Sequence, residues 1–235
     1  MKVTQISYII PAQIWYNSDT MIFVYVSEIL DDFMPHTALL HGARRAELAL
    51  YTSKAAQNER ATASLLLSYA LKAANAPVPL PPETVRCGNG KPSLAVPCGL
   101  HFSMAHTNGY ALCTLHTENV GADIELISDK ICKTAAKLLR SAAEKNHYSS
   151  LPEQNRAAYL TRLWTKRESL GKLTGKGVLH ALSLPLSGKG RIGYTVTRTV
   201  KGCAVSVSSE KRDSVKIVWV SKNQLTRIQH NDLTT

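Results

Sequence analysis

HFSMAHTNGYALCTLHTENVGADIELI, residues 101–127, reads as three short strands in succession. Strand-like residues at 101–104, 111–116 and 120–127 are separated by Asn108-Gly109 and Glu118-Asn119, pairs that favour tight turns. The last strand carries Asp123 and Glu125 two residues apart. Side chains alternate along a strand, so these carboxylates share one face while Ala122, Ile124 and Leu126 line the other. Two residues span roughly 6–7 Å, close enough for both acids to converge on one small object. Like charges so placed repel unless a cation lies between them. Magnesium, a hard ion that takes oxygen ligands and shares them with substrate phosphates, answers that description. A solvated strand face carrying two acids answers it as well.

Working outward, residues 21–29 (MIFVYVSEI) are rich in β-branched and aromatic side chains and predict a strand. Residues 54–76 predict a helix that ends before Pro77, Pro79, Pro81 and Pro82, which no helix interior tolerates. Asn89-Gly90 is a turn signal, with Lys91-Pro92 directly after it. Downstream, residues 134–147 predict a helix, Pro152 breaks the chain, and a long helix over 154–173 is closed by Gly175 and Gly177. Stretches 192–199, 203–208 and 215–220 are strand-like, and the last ten residues are polar and expected to be loose. The order is α+β twice over, with an N-terminal half at 1–118 and a C-terminal half at 119–235 that carries the acidic pair. No internal sequence repeat stands out.

The 235 residues, 44% of them hydrophobic, are enough for a sizeable core. Lys plus Arg is 28 against 17 Asp plus Glu, a net charge of +11. That excess calls for an anionic partner: nucleic acid, a phosphorylated small molecule, an acidic protein or an acidic membrane surface. Cys87, Cys98, Cys113, Cys132 and Cys203 are odd in number, widely spaced and without a CxxC pair, a pattern that suits a reducing compartment. No stretch approaches the roughly 20 apolar residues of a membrane span, and the N-terminus lacks a secretory leader pattern. The expectation is a soluble, cytoplasmic protein.

A second constellation is Trp164-Thr-Lys-Arg-Glu-Ser-Leu-Gly-Lys172. On a helix Trp164, Glu168 and Lys172 form one stripe at i, i+4 and i+8. Glu168 four residues before Lys172 is a favoured ion pair worth about 0.3–0.5 kcal/mol. The functional alternative makes Glu168 a third metal carboxylate and Lys172 a phosphate contact; helical spacing does not separate the two. Gly175-Lys176-Gly177 lacks the strand–GxxxxGK[ST]–helix context of a phosphate loop. The trio Ser103, His106 and Asp123 invites a hydrolase reading but has no G-x-S-x-G elbow.

Taken in order, Gly-Lys-Pro (90–92), His-Phe-Ser-Met-Ala-His (101–106), Gly-Ala-Asp-Ile-Glu (121–125) and the Trp164–Lys172 run resemble the Sfp-type 4′-phosphopantetheinyl transferases. The resemblance covers about residues 44–177. It implies transfer of the phosphopantetheine arm of coenzyme A to a serine of an apo acyl or peptidyl carrier protein, releasing adenosine 3′,5′-bisphosphate. It also implies a monomer of two similar α+β halves forming a pseudo-dimer, with coenzyme A between them. Asp123, Glu125 and Glu168 are then the ligands of Mg2+, or Mn2+. Arg60, Lys91, His106 and Lys172 are the coenzyme A contacts, with Lys91 near the adenosine and His106 at its 3′-phosphate. Arg44 and Arg45 add basic contacts, either Glu144 or a metal-bound water relayed by a carboxylate takes the serine proton, and Glu168 and Lys172 also act in catalysis.

Three positions depart from the family pattern. Ala105 replaces a serine, implying one hydroxyl contact to coenzyme A fewer. Arg167 replaces a lysine, and the two are not interchangeable at a shaped phosphate site. Ala122 replaces a branched residue, implying looser packing. The alternatives are a degenerate relative that binds coenzyme A or a carrier without catalysis, and a basic nucleic-acid-binding protein. The latter leaves the three acids unrelated, and 6% aromatic residues offer few stacking platforms. The expectation is therefore an acidic carrier protein as partner, with neither nucleic acid nor membrane.

Overall fold

The computed structural model describes residues 21–228 apart from 89, 184 and 187–191. The expectations for residues 1–20, for Asn89 and for the chain from residue 229 lie outside the described residues. In chain order the elements are β1 (Met21–Glu28), a 3-10 turn (Met34–Leu39), α1 (Gly42–Ala49), α2 (Lys54–Ala73), β2 (Thr84–Arg86) and β3 (Pro92–Leu94). Then come β4 (His101–Thr107), β5 (Tyr110–His116), β6 (Val120–Leu126), a second 3-10 turn (Asp129–Thr134), α3 (Ala135–Leu138) and α4 (Ala142–Ser150). The chain continues as α5 (Glu153–Thr174), α6 (Gly177–Ser183), β7 (Tyr194–Val200), β8 (Cys203–Ser209), β9 (Ser214–Trp219) and α7 (Lys222–Thr226).

One sheet has the strand order β4-β5-β1-β9, a second β6-β8-β7, and β2 with β3 forms a small third. Alternation along β1 decides the layering. Phe23 and Tyr25 join the core beneath α2, with Leu65, Leu66, Phe102 and Leu115. Ile22, Val24 and Val26 point the other way and meet Val120, Ala122 and Ile124 of β6 and Val205 and Val207 of β8. The opposite face of the second sheet is covered by α5. The architecture is therefore α+β: α2, first sheet, second sheet, α5.

Local chemistry explains most boundaries. The Ser53 hydroxyl accepts from Ala56 N at 3.4 Å and starts α2. Gly175, at φ 67°, ends α5 in the left-handed conformation that glycine adopts without a Cβ penalty. The single helix expected over 134–147 is two: Leu139 leaves α3 extended, and Ser141 starts α4 with a reciprocal cap to Glu144. The α1 helix, the β2–β3 hairpin, α6 and α7 were not foreseen. Nor was the return of the chain to its first half, where β9 lies parallel to β1, with Phe23 opposite Lys216, and α7 packs on α2. Among the described residues no helix is long and apolar enough to cross a membrane.

Candidate active site

Because Val120, Ala122 and Ile124 face the first sheet, Gly121, Asp123 and Glu125 face α5. Gly121 lets the helix approach: a Cβ there would lie 2.0 Å from Ser169 O and 2.3 Å from Leu173 N. Two buried chains of hydroxyls clamp α5 to the sheet. Thr165 Oγ1 lies 2.8 Å from Ser206 Oγ, which continues to Thr197 at 2.8 Å. Ser169 Oγ lies 2.8 Å from Ser208 Oγ, which continues to Thr195 at 2.8 Å. This clamp brings Glu168 and Lys172 of α5 over the acids of β6.

Lys172 Nζ donates to Asp123 Oδ1 at 2.7 Å. Its ion-pair partner is thus on the neighbouring strand; among the described residues no Glu168–Lys172 bridge forms. The Asp123 side chain is only 7% exposed, and its Oδ2 is buried with no hydrogen-bond partner among the described residues. Burial pushes the Asp123 carboxyl up to about 7; Lys172 opposes this, while Glu168 and Glu125 add to it. Glu168 is likewise raised, by burial first, with Lys172 lowering and Glu125 raising it. Glu125 accepts from Thr107 Oγ1 at 2.9 Å. The sequence reading ends this strand at Met104 and so misses Thr107, which the longer β4 puts on the same face as Ser103.

Asp123 and Glu168, both raised first by burial and further by a neighbouring carboxylate, lie beside Glu125 and together fit an oxygen-seeking divalent cation. Among the described residues, however, no three acidic, imidazole or thiol groups stand as a ready metal cage. An open set suits magnesium, which keeps several waters and shares substrate phosphate oxygens. In this arrangement the Lys172 ammonium supplies the positive charge beside Asp123.

A cationic cleft of about 330 Å³ lies between α1, α2 and the β2–β3 hairpin, with Arg44, Arg60 and His106 in its wall. Arg44 is held from three sides: Nε donates to Ser64 Oγ at 2.8 Å, Nη1 to Glu47 Oε2 at 2.5 Å and Nη2 to Arg60 O at 3.2 Å. Arg60 lies 4.2 Å over the Tyr51 ring and donates to Ala56 O at 3.2 Å. His106 Nδ1 is 3.3 Å from Glu59 Oε2. Burial, then Arg60, Lys172 and Arg44, lower the imidazole to about 4, so the ring is neutral at pH 7 despite the glutamate. Lys172 is thus felt at His106, which links the cleft to the carboxylates. The lining residues all fall between 39 and 106, so this cleft belongs to the first half.

Other expected residues stand elsewhere. Lys91 is not in the cleft wall. Its ammonium donates to Asn119 Oδ1 and to Val120 O, the latter at 2.9 Å, and burial lowers it to about 8. Asn119 in turn donates to Leu173 O at 2.8 Å, tying this loop to the end of α5. Arg45 is exposed on α1. Glu144 and Arg167 bond each other at 2.7 Å, and Arg167 is 1% exposed, so it occupies the core and not a phosphate site.

Ala105 is buried between the sheets beside Leu112 and Ala122; a serine hydroxyl there would face apolar side chains, not the cleft. Ala122 is fully buried, and its N–H donates to Ser103 Oγ at 3.0 Å. Ser103 and His106 occupy opposite faces of β4, so the hydrolase trio does not assemble.

A family model described as the 4′-phosphopantetheinyl transferase superfamily matches residues 119–220. Over 96 residues the chain is 35% identical to 4′-phosphopantetheinyl transferase psf-1 of Bacillus pumilus, covering 41% of each chain. It is 31% identical over 97 residues to 4′-phosphopantetheinyl transferase Sfp of Bacillus subtilis (strain 168), again 41% of each. It is 32% identical over 96 residues to 4′-phosphopantetheinyl transferase HetI of Nostoc sp. (strain PCC 7120), covering 38% of this chain and 40% of that one. The matched segment therefore spans about two fifths of the length of these curated relatives.

Proposed function

We propose, on the premise that this chain is an Sfp-type relative within the 4′-phosphopantetheinyl transferase superfamily, that it moves the phosphopantetheine arm of coenzyme A onto a serine of an apo carrier protein. The observation that carries the reading is the meeting of Glu168 and Lys172 with Asp123 and Glu125 beside a cleft walled by Arg44, Arg60 and His106. In this proposal the enzyme is a cytoplasmic monomer and its carrier is acidic. The kinship of its two halves is supported by one long helix, α2 or α5, on the outer face of each large sheet.

The serine Oγ attacks the β-phosphorus of the pyrophosphate, the bond to the bridging oxygen breaks, and adenosine 3′,5′-bisphosphate leaves. Arg44, Arg60 and His106 bind and orient phosphate groups in the cleft, with His106 at the 3′-phosphate, and Lys172 turns from Asp123 to the pyrophosphate. Lys91 reaches the adenosine by leaving Asn119. Asp123, Glu125 and Glu168 would hold magnesium or manganese. When bound, that ion neutralises charge developing on the phosphate oxygens. Glu168, which α5 aims at the acids of β6, accepts the serine proton.

The test is intact-mass measurement of a panel of apo carriers incubated with the protein, coenzyme A and magnesium. Gain of one phosphopantetheine arm, lost with chelator and in Asp123→Ala, supports the reading. Binding of coenzyme A without modification of any carrier would shift it to a coenzyme A-binding relative. Absence of coenzyme A binding would reject it.

A further inference from the structure

Glu144 opens α4, and both its oxygens are in use. Oε2 accepts from the backbone N–H of Arg140 at 2.7 Å and of Ser141 at 2.9 Å, while Ser141 Oγ accepts from Glu144 N at 3.1 Å. Oε1 accepts from Arg167 Nη2 at 2.7 Å. Arg167 Nη1 in turn donates to Ala181 O at 3.3 Å and Leu182 O at 3.4 Å, both on α6. The pair therefore joins three helices at one point in the core, where the guanidinium is 1% exposed. Leu138, Leu139, Leu160 and Leu163 form a buried apolar cluster that Tyr148 of α4 and Leu182 of α6 pack against.

Consecutive residues on an α-helix point about 100° apart. Fixing Arg167 toward α4 and α6 consequently fixes where Glu168 points. Glu168 then faces Glu125 and Asp123, whose charges it senses. A proton taken up by Glu144 would remove the negative charge that partners a buried guanidinium. That leaves a charge without its partner in the core.

We propose that Glu144 is a positioning residue that acts through Arg167 to set the rotation of α5 and the aim of Glu168, and is not the base of the reaction. This rests on the transferase reading above, but it makes claims that do not need turnover. A magnesium titration read by the shift in thermal midpoint, without coenzyme A or carrier, tests the aim of Glu168 directly. Glu144→Gln and Arg167→Lys are each expected to need several-fold more magnesium for the same shift than the wild type. The double variant is expected to be no worse than either single one, because the two residues work as one unit.

In turnover, both single variants are expected to lose about tenfold in kcat with the shape of the pH–rate profile retained. Removal of a general base instead costs about 10²–10⁴-fold. A loss of that size confined to Glu144→Gln, with the acid limb of the profile gone and magnesium binding unchanged, overturns the proposal. A lower midpoint with neither magnesium binding nor kcat altered overturns it too, by making the pair merely structural. If the wild type modifies no carrier, the transferase reading fails and the magnesium titration still decides the role of Glu144.

Discussion

Lys172 of α5 and Asp123 of β6 are paired across two elements, Nζ to Oδ1 at 2.7 Å, while the second Asp123 oxygen is buried without a partner among the described residues. The pairing makes Lys172 an internal counter-ion in the protein without metal. Burial still dominates, and Asp123 is raised from 3.8 to about 7. A carboxyl raised by folding contributes stability that is complete below pH 3.8 and is lost as pH rises through about 7. Asp123→Asn should therefore flatten the pH dependence of stability between those limits. Lys172→Met should steepen it and cost about 2 kcal/mol at pH 8, with a smaller deficit at pH 5.5. Urea melts across pH, without divalent ions, measure both; an unchanged slope in Asp123→Asn would refute the assignment.

His106 is held neutral by burial and three nearby cations. A phosphate bound among Arg44, Arg60 and His106 reverses that field and favours imidazolium. Coenzyme A binding should therefore take up a proton near pH 6 and tighten as pH falls from about 7 to 5.5. Calorimetry in buffers of different ionisation heat reads the uptake. His106→Gln should abolish it and weaken binding about ten- to a hundredfold, as expected for a charge-assisted hydrogen bond.

Gly121 lies under the backbone of α5, with a substituted Cβ only 2.0 Å from Ser169 O. Neither contacting backbone atom can swing aside. Gly121→Ala should cost at least about 3 kcal/mol, the upper range for overpacking, and should move α5 away from β6. A full loss of activity with a wild-type urea midpoint would contradict this account.

Lys130, Lys133, Lys137 and Lys145 are exposed after β6, and among the described residues none forms an ion pair. An acidic carrier should be drawn to them over roughly a Debye length of about 8–10 Å. Lys133→Glu with Lys137→Glu should raise KM for the carrier about tenfold and leave KM for coenzyme A unchanged. The wild-type rate at subsaturating carrier should also fall steeply as salt is raised. Equal effects on both substrates would count against a docking role.

Local signals settled much of this protein. β-Branched and aromatic residues at 21–29, and the turn pairs that separate 101–104, 111–116 and 120–127, marked the strands, and alternation put Asp123 and Glu125 on one face. Helix formers bounded by Pro152 and Gly175 marked α5 and put Glu168 and Lys172 on one stripe. These readings hold because strand and helix periods are properties of neighbouring residues. Tertiary structure decided the pairings. Helical spacing left Lys172 open to pairing with Glu168 or to a phosphate contact, but α5 crosses β6 at Gly121 and delivers the ammonium to Asp123. Glu144 and Arg167, 23 residues apart, became a buried pair, and β9 joined β1 across most of the chain. Such contacts depend on which faces must be covered to exclude water, a condition imposed by the whole packed chain and carried by no single stretch of it.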